Sequence, residues 1–260
     1  MNMNMKNLII LIASCTALFF SGVAAHAADG EKKGGDGLPD PGVVFVKGQT
    51  AIVITDPQID FLSPDGVAWP LVGKSVTKNG TVENIEKLMK IAGEKDILLV
   101  ISPHFYAPQD LTFKHGGALE HAMHGIKMFE SDERLDQAGF KPSTGPDFMP
   151  QYKKYINNGK TAVASPHKVY GPETNDTVLQ LRKRNVSKII LAGMSANLCT
   201  ESHLREFMEQ GFEVLVVKDA TAAAQLPDMD GYAAAMTNVR MIANGVRTTE
   251  EVLVQINKEL

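Results

Sequence analysis

The sequence predicts a three-layer Rossmann-like α/β fold, with about six parallel strands and helices on both faces of the sheet. Two observations carry this. Short continuous apolar runs recur along the chain, such as TAIVIT at Thr50–Thr55, ILLVI at Ile97–Ile101 and EVLVV at Glu213–Val217. Such runs are the pattern of strands buried on both faces. Between them lie stretches whose apolar residues repeat with a helical period. Strands alternating with helices imply a parallel sheet. Right-handed crossovers then bring the C-terminal ends of the strands to one edge.

The chain has 260 residues and a formal net charge of −4. That length suits one sizeable α/β domain, and the charge gives no electrostatic case for nucleic acid. Residues 1–27 read as a signal peptide: a weakly basic start, an apolar run from Asn7 to Ala25, and an Ala25-His26-Ala27 cleavage signal. The expected location is therefore periplasmic or secreted. Ile12-Ala13-Ser14-Cys15 also resembles a lipobox, which would anchor the chain as a lipoprotein at Cys15. The apolar run continues past it to Phe20, which fits cleavage after Ala27 better. A chain cut there keeps one cysteine, Cys199, and can form no internal disulfide. Residues 28–49 begin as a polar, Gly- and Lys-rich segment, expected to be flexible, and residues 50–260 form the domain.

Thr50–Thr55 is the first strand, stopped by Asp56-Pro57, since proline cannot donate to a ladder. Ser63–Gly73 reads as loop, around the turn signal Pro64-Asp65-Gly66. Val82, Ile85, Leu88, Met89 and Ala92 give a helix over Val76–Glu94. The second strand, Ile97–Ile101, ends at Ser102-Pro103-His104. Residues 105–160 show little periodicity and read as a loop-rich insertion with one or two short helices. Thr161–Ala164 is the third strand, Asp176–Arg184 a helix, and Ile189–Ala192 the fourth strand. The helix after it carries Leu204, Phe207 and Met208 on one face and ends at Gly211. Glu213–Val217 is the fifth strand. A helix over Gly231–Met241, a short sixth strand near Met241–Val246 and a last helix over Thr248–Leu260 complete the chain.

The strand ends deliver Asp56, His104, Lys168, Cys199 and Asp219 to one edge, where α/β enzymes keep their chemistry. Cys199 falls at a helix N-terminus, whose unpaired N–H groups favour a thiolate. A thiol, a carboxylate, an ammonium and a polar imidazole wall are the materials of a hydrolase site.

Three segments carry a resemblance to the isochorismatase-like cysteine hydrolase superfamily, which includes nicotinamidases and N-carbamoylsarcosine amidohydrolases. They are AIVITDPQIDF, VASPHKVYG and IILAGMSANLCTESHLREFMEQGFEVLVVKDATAA. The resemblance implies a catalytic triad of Asp56, Lys168 and Cys199, the lysine standing about thirty residues before the cysteine as in the family. Val169-Tyr170-Gly171 follows Lys168 where the family often has Ser-Ala/Gly-Phe. The resemblance further implies a cis peptide at Met194–Ser195, which would turn the Ser195 and Cys199 N–H groups into an oxyanion hole. Zinc-binding relatives place an aspartate after the second strand. This chain has Ser102-Pro103-His104 there, so no metal is expected. No phosphate-binding loop follows any strand, so no dinucleotide cofactor is expected either.

The expected activity is hydrolysis of a C–N bond in a small amide, ureide or carbamoyl compound through a thioester, without a cofactor. The alternatives are vinyl ether cleavage of the isochorismatase type, which needs no thiol, and a thiol redox or binding protein on the same fold. Phe61, Trp69, His104, Phe105 and Tyr170 are the expected pocket walls. The partners expected are the small-molecule substrate and further copies of the chain, as relatives associate as dimers or larger.

Overall fold

The computed structural model describes residues 37–132 and 141–260. The leader and lipobox readings lie outside them. The chain divides into Met1–Pro39 and Asp40–Leu260; the fold is that of the second unit.

Its centre is β1 (Thr50–Thr55), every residue of which is buried. After it come α1 (Ile59–Leu62), α2 (Trp69–Asn79) and α3 (Thr81–Glu94), then β2 (Leu98–Ser102). The insertion carries α4 (Ala118–Gly125) and α5 (Lys153–Ile156), and β3 (Ala162–Val163) follows. Then α6 (Thr177–Arg182), β4 (Lys188–Gly193), α7 (Cys199–Glu209) and β5 (Glu213–Thr221) alternate. A small antiparallel pair, β6 (Gln225–Leu226) and β7 (Met229–Asp230), precedes α8 (Gly231–Ile242), β8 (Gly245–Arg247) and α9 (Thr249–Glu259).

Six strands form one parallel sheet in the order β3-β2-β1-β4-β5-β8. Successive residues of β1 point to opposite faces. Ile52 and Ile54 therefore join one core with Ile85 and Leu88 of α3 and Val252 and Ile256 of α9. Ala51 and Val53 join the other with Leu181 of α6, Leu204 and Phe207 of α7 and Val239 of α8. This is the three-layer arrangement expected. The chain leaves β1 toward β2 and β3, then returns to lay β4 on the other side of β1. The sheet's switch point thus lies between β1 and β4, where such sheets open a crevice.

Two expectations are corrected. The loop expected over Ser63–Gly73 ends at Ala68, because α2 starts at Trp69 with Pro70 in its first turn, a position that suits proline. The single helix over Val76–Glu94 is two helices. They meet at Gly80, whose φ of 61° ends one and begins the next. The apolar period alone could not show that break.

Gly193 ends β4 with φ 114°, and a Cβ there would stand 2.1 Å from the Thr55 carbonyl oxygen. The β1 and β4 ends can approach this closely only over a glycine. Thr55 Oγ1 reinforces the junction through Met194 O (2.9 Å) and Thr200 Oγ1 (2.9 Å). Gly193→Ala should cost on the order of 3 kcal/mol, measured by chemical denaturation; wild-type stability in this variant would contradict the reading.

Candidate active site

The site starts from the backbone at the end of β1. Asp56 adopts a left-handed conformation, φ 46°, and its N–H donates to Ser102 O at 3.0 Å. That turn releases three alternate side chains to three tasks. Asp56 enters the site. Gln58, fully buried, accepts the His104 N–H through Oε1 (2.8 Å) and donates through Nε2 to His104 O (2.7 Å) and Pro146 O (2.6 Å). Asp60 accepts the Phe129 N–H through Oδ2 (2.6 Å), and a Cβ on Gly145 would come within 2.2 Å of that oxygen. Burial raises the Asp60 pKa, against the two backbone N–H donors that favour its charge. The insertion, shapeless in the sequence, is fastened to this motif.

A carboxylate oxygen of Asp56, a ring nitrogen each of His104 and His167, and Cys199 Sγ all lie within 4.8 Å of one another. All four residues are buried. His167 Nε2 and Asp56 Oδ1 are 2.8 Å apart. Since an ionised carboxylate only accepts, the imidazole donates. His104 Nε2 lies 2.9 Å from Lys168 O, which again can only accept, so that nitrogen carries the proton. Burial first, and the neighbouring His167 second, hold His104 well below the ordinary imidazole range; it is neutral.

The structure thus brings Asp56, His104 and Cys199 together as expected, but puts Lys168 elsewhere. Its ammonium donates to Asp110 Oδ2 and to Phe105 O (3.1 Å) and hydrogen-bonds neither Asp56 nor Cys199. The partner of Asp56 is the preceding residue, His167. The reason is a slip in strand pairing. Val100 pairs with Ala162 and Ile101 with Val163, but past the strand ends His104 pairs with His167, one residue beyond the partner that register would give it. The slip sets His167 beside His104, and the Lys168 ammonium goes to Asp110 and the Phe105 carbonyl.

Cys199 opens α7, as expected, but its thiol does not titrate as that position suggests. Burial raises its pKa well above the ordinary thiol value, and the adjacent Asp56 carboxylate raises it further. The Ser195 and Cys199 N–H groups act in the other direction and lose. The thiol is therefore protonated at rest, burial beside Asp56 outweighing the helix N-terminus that favours a thiolate. The peptide bond Met194–Ser195 is cis. Both N–H groups reach the sulfur's surroundings, so the two expected oxyanion donors share one small volume with the nucleophile.

Among the expected pocket walls, Tyr170 is half-buried and close enough to Cys199 that a thiolate there would oppose its ionisation, as is buried Tyr106. Phe61 packs edge-on to Phe129 (5.2 Å between centroids), which stacks on His104 (4.7 Å). It therefore stands one layer behind. The Phe105 ring lies under the Lys168 ammonium at 5.4 Å. Trp69 covers Gly73 in α2, where a Cβ would come within 2.5 Å of the indole.

His203 was not foreseen. It is fully buried, one helical turn past the thiol. Nδ1 donates to Cys199 O (2.7 Å) and Nε2 accepts from the Ser102 hydroxyl (2.7 Å), whose oxygen in turn accepts from Asn175 Nδ2 (2.8 Å). Burial above all pushes its pKa down to about 3, so it is a neutral brace. The i, i+4 spacing from Cys199 was the available signal. Because the Ser102 hydroxyl is committed to this brace, the end of β2 offers one metal-ligating side chain, His104.

Comparison with known proteins follows this geometry. Residues 50–251 match the isochorismatase domain model. An uncharacterized isochorismatase family protein of Escherichia coli O157:H7 is 33% identical over 78 residues, which span 30% of this chain and 40% of that protein. The solved structure of a cysteine hydrolase from Pseudomonas syringae pv. phaseolicola superposes with a TM-score of 0.68 at 20% identity, covering 86% of this chain and 99% of that one. N-carbamoylsarcosine amidase from Thermoplasma acidophilum superposes with a TM-score of 0.53 at 16% identity, covering 78% and 97%. At these identities the two structures speak for the fold. The family model speaks for the lineage: the chain belongs to the isochorismatase domain family.

Proposed function

We propose that the chain is a cysteine hydrolase that cleaves a C–N bond in a small amide, ureide or carbamoyl compound through a thioester. The observation that carries this is the buried Asp56 carboxylate set against a protonated Cys199 thiol, beside the Ser195 and Cys199 N–H groups. An acid–base group next to a nucleophile that is protonated at rest is the arrangement acyl transfer requires. The cysteine hydrolase and N-carbamoylsarcosine amidase that share the fold support the substrate class.

In this reading Asp56 takes the thiol proton as the sulfur attacks the carbonyl carbon. The negative charge that forms on the carbonyl oxygen is met by the Ser195 and Cys199 N–H groups. Asp56 then hands the proton to the leaving nitrogen, which departs as an amine. A water attacks the thioester, its proton passes to Asp56, the carbon–sulfur bond breaks to release the acid, and Asp56 returns the proton to the Cys199 sulfur. His167 holds Asp56 throughout by donating to Oδ1. Its place is that of the third member of the triad, and Lys168 instead fastens the insertion to the rim through Asp110. We place the reaction outside the cytoplasm, on the strength of the leader-like residues 1–27.

Ammonia or amine release from a panel of small amides and ureides tests the reading. Cys199→Ala should lower turnover by at least about 10⁴-fold, and Asp56→Asn by about 10²–10⁴-fold, with both proteins folded. Full activity in either would falsify it. The two candidate third members separate by their variants. His167→Asn should cost about tenfold to a hundredfold in kcat, whereas Lys168→Met, which breaks a part-exposed ion pair, should stay within about tenfold; the reverse ranking restores the lysine.

The thiol itself gives a pH test. Its pKa is raised by burial and by the Asp56 charge. Alkylation by iodoacetamide should therefore climb only above the ordinary thiol range. Asp56→Asn removes the negative neighbour but not the burial, so the midpoint should move down in pH. An unmoved or higher midpoint would show that the carboxylate does not face the sulfur.

A further inference from the structure

The quartet of Asp56, His104, His167 and Cys199 holds more lone pairs than protons. His104 Nε2–H is spent on Lys168 O and His167 Nε2–H on Asp56 Oδ1. His104, neutral, is then left with a bare Nδ1, and the Nδ1 of each ring is buried without a hydrogen-bond partner. Asp56 Oδ2 is buried without one as well. The Cys199 thiol supplies one S–H to the whole set, turned to the Asp56 carboxylate, with Val169 O at 3.9 Å. Buried polar atoms left over in this way are costly. A metal ion among them would answer them.

We propose that this quartet binds a borderline divalent transition-metal ion of the zinc class, through the Cys199 sulfur, the Asp56 carboxylate and a ring nitrogen each of His104 and His167. Thiolate, imidazole and carboxylate together are the donors such an ion takes, and four suffice for tetrahedral coordination. Donor atoms around such an ion stand about 3.5 Å apart, so a set that already lies within 4.8 Å needs only small side-chain adjustments. The outer contacts are in place as well. A ligating histidine usually gives its other N–H to a carbonyl or carboxylate, and His104 does so to Lys168 O. Gln58 fixes the His104 backbone on both sides of the residue. This site is not the one expected after the second strand from zinc-binding relatives: it shares His104 with that place and takes its other ligands from β1, β3 and α7.

The inference goes beyond the hydrolytic reading and stands apart from it. Binding releases the thiol proton to solvent and commits the sulfur to the metal, so a loaded chain has no free nucleophile. Hydrolysis and metal binding would exclude each other at one sulfur.

Cobalt(II) tests this without turnover. The full chain, as purified and treated with chelator, is titrated with Co²⁺ alone. One equivalent should bring a sulfur-to-cobalt charge-transfer band and visible bands of tetrahedral intensity, and Zn²⁺ should displace both. Cys199→Ser should abolish the charge-transfer band, and His104→Gln should weaken binding at least about tenfold, with folding checked by thermal melts. The proposal is overturned if one equivalent gives no charge-transfer band, or if the band persists in Cys199→Ser. Because that serine variant changes one buried atom, it keeps the test open should His104→Gln fail to fold.

Discussion

The hydrogen bond from His167 to Asp56 joins the two sides of the sheet's C-terminal edge. Both groups are fully buried and 2.8 Å apart. One follows β1 and the other β3, with β2 between them. Removing either partner would leave the other's polar atom in an interior that cannot solvate it. The bond therefore fixes where the carboxylate sits relative to the thiol, since Cys199 is held from the other side by β4 and α7. Everything the site can do depends on that placement: the raised thiol pKa, the proton path and the crowding of lone pairs.

The short motif after β1 shows how one turn organises much of the chain. Asp56, Gln58 and Asp60 are all buried and polar, which would be unstable without partners. Each finds its partner in a different segment: His167 after β3, His104 and Pro146 around the insertion, and Phe129 inside it. Polar burial here specifies position rather than adding cohesion. The apolar strands would pair without it, but the insertion would have no fixed seat.

The sheet, the cysteine-bearing helix and the Asp56–Cys199 pairing were legible because each follows from period and from the ends of apolar runs. Gly193 and the cis bond after it were legible through the family pattern. The third partner was not. His167 and Lys168 are neighbours, and choosing between them turns on a one-residue slip in pairing after β3, which is only Ala162–Val163 long. No apolar period records such a slip. The insertion failed for a related reason. Its order comes from contacts to Gln58 and Asp60, far away in the sequence, and no local period records such contacts. The helix N-terminus that favours a thiolate is visible in the sequence, while the burial beside a carboxylate that outweighs it is not.

The brace beneath the nucleophile has a bearing on redesign. Cys199 is tied through its own carbonyl to His203, and through His203 to Ser102 and Asn175. None of these belongs to residues 105–160. The insertion is seated instead on Gln58, Asp60 and Lys168. Chemistry and enclosure therefore hang from separate supports, and the wall around the substrate can be recut while the sulfur keeps its place, provided that Gln58, Asp60 and Lys168 keep partners in the new wall. A change of specificity by grafting a relative's insertion is then a problem of matching three anchor points, not of rebuilding the catalytic edge.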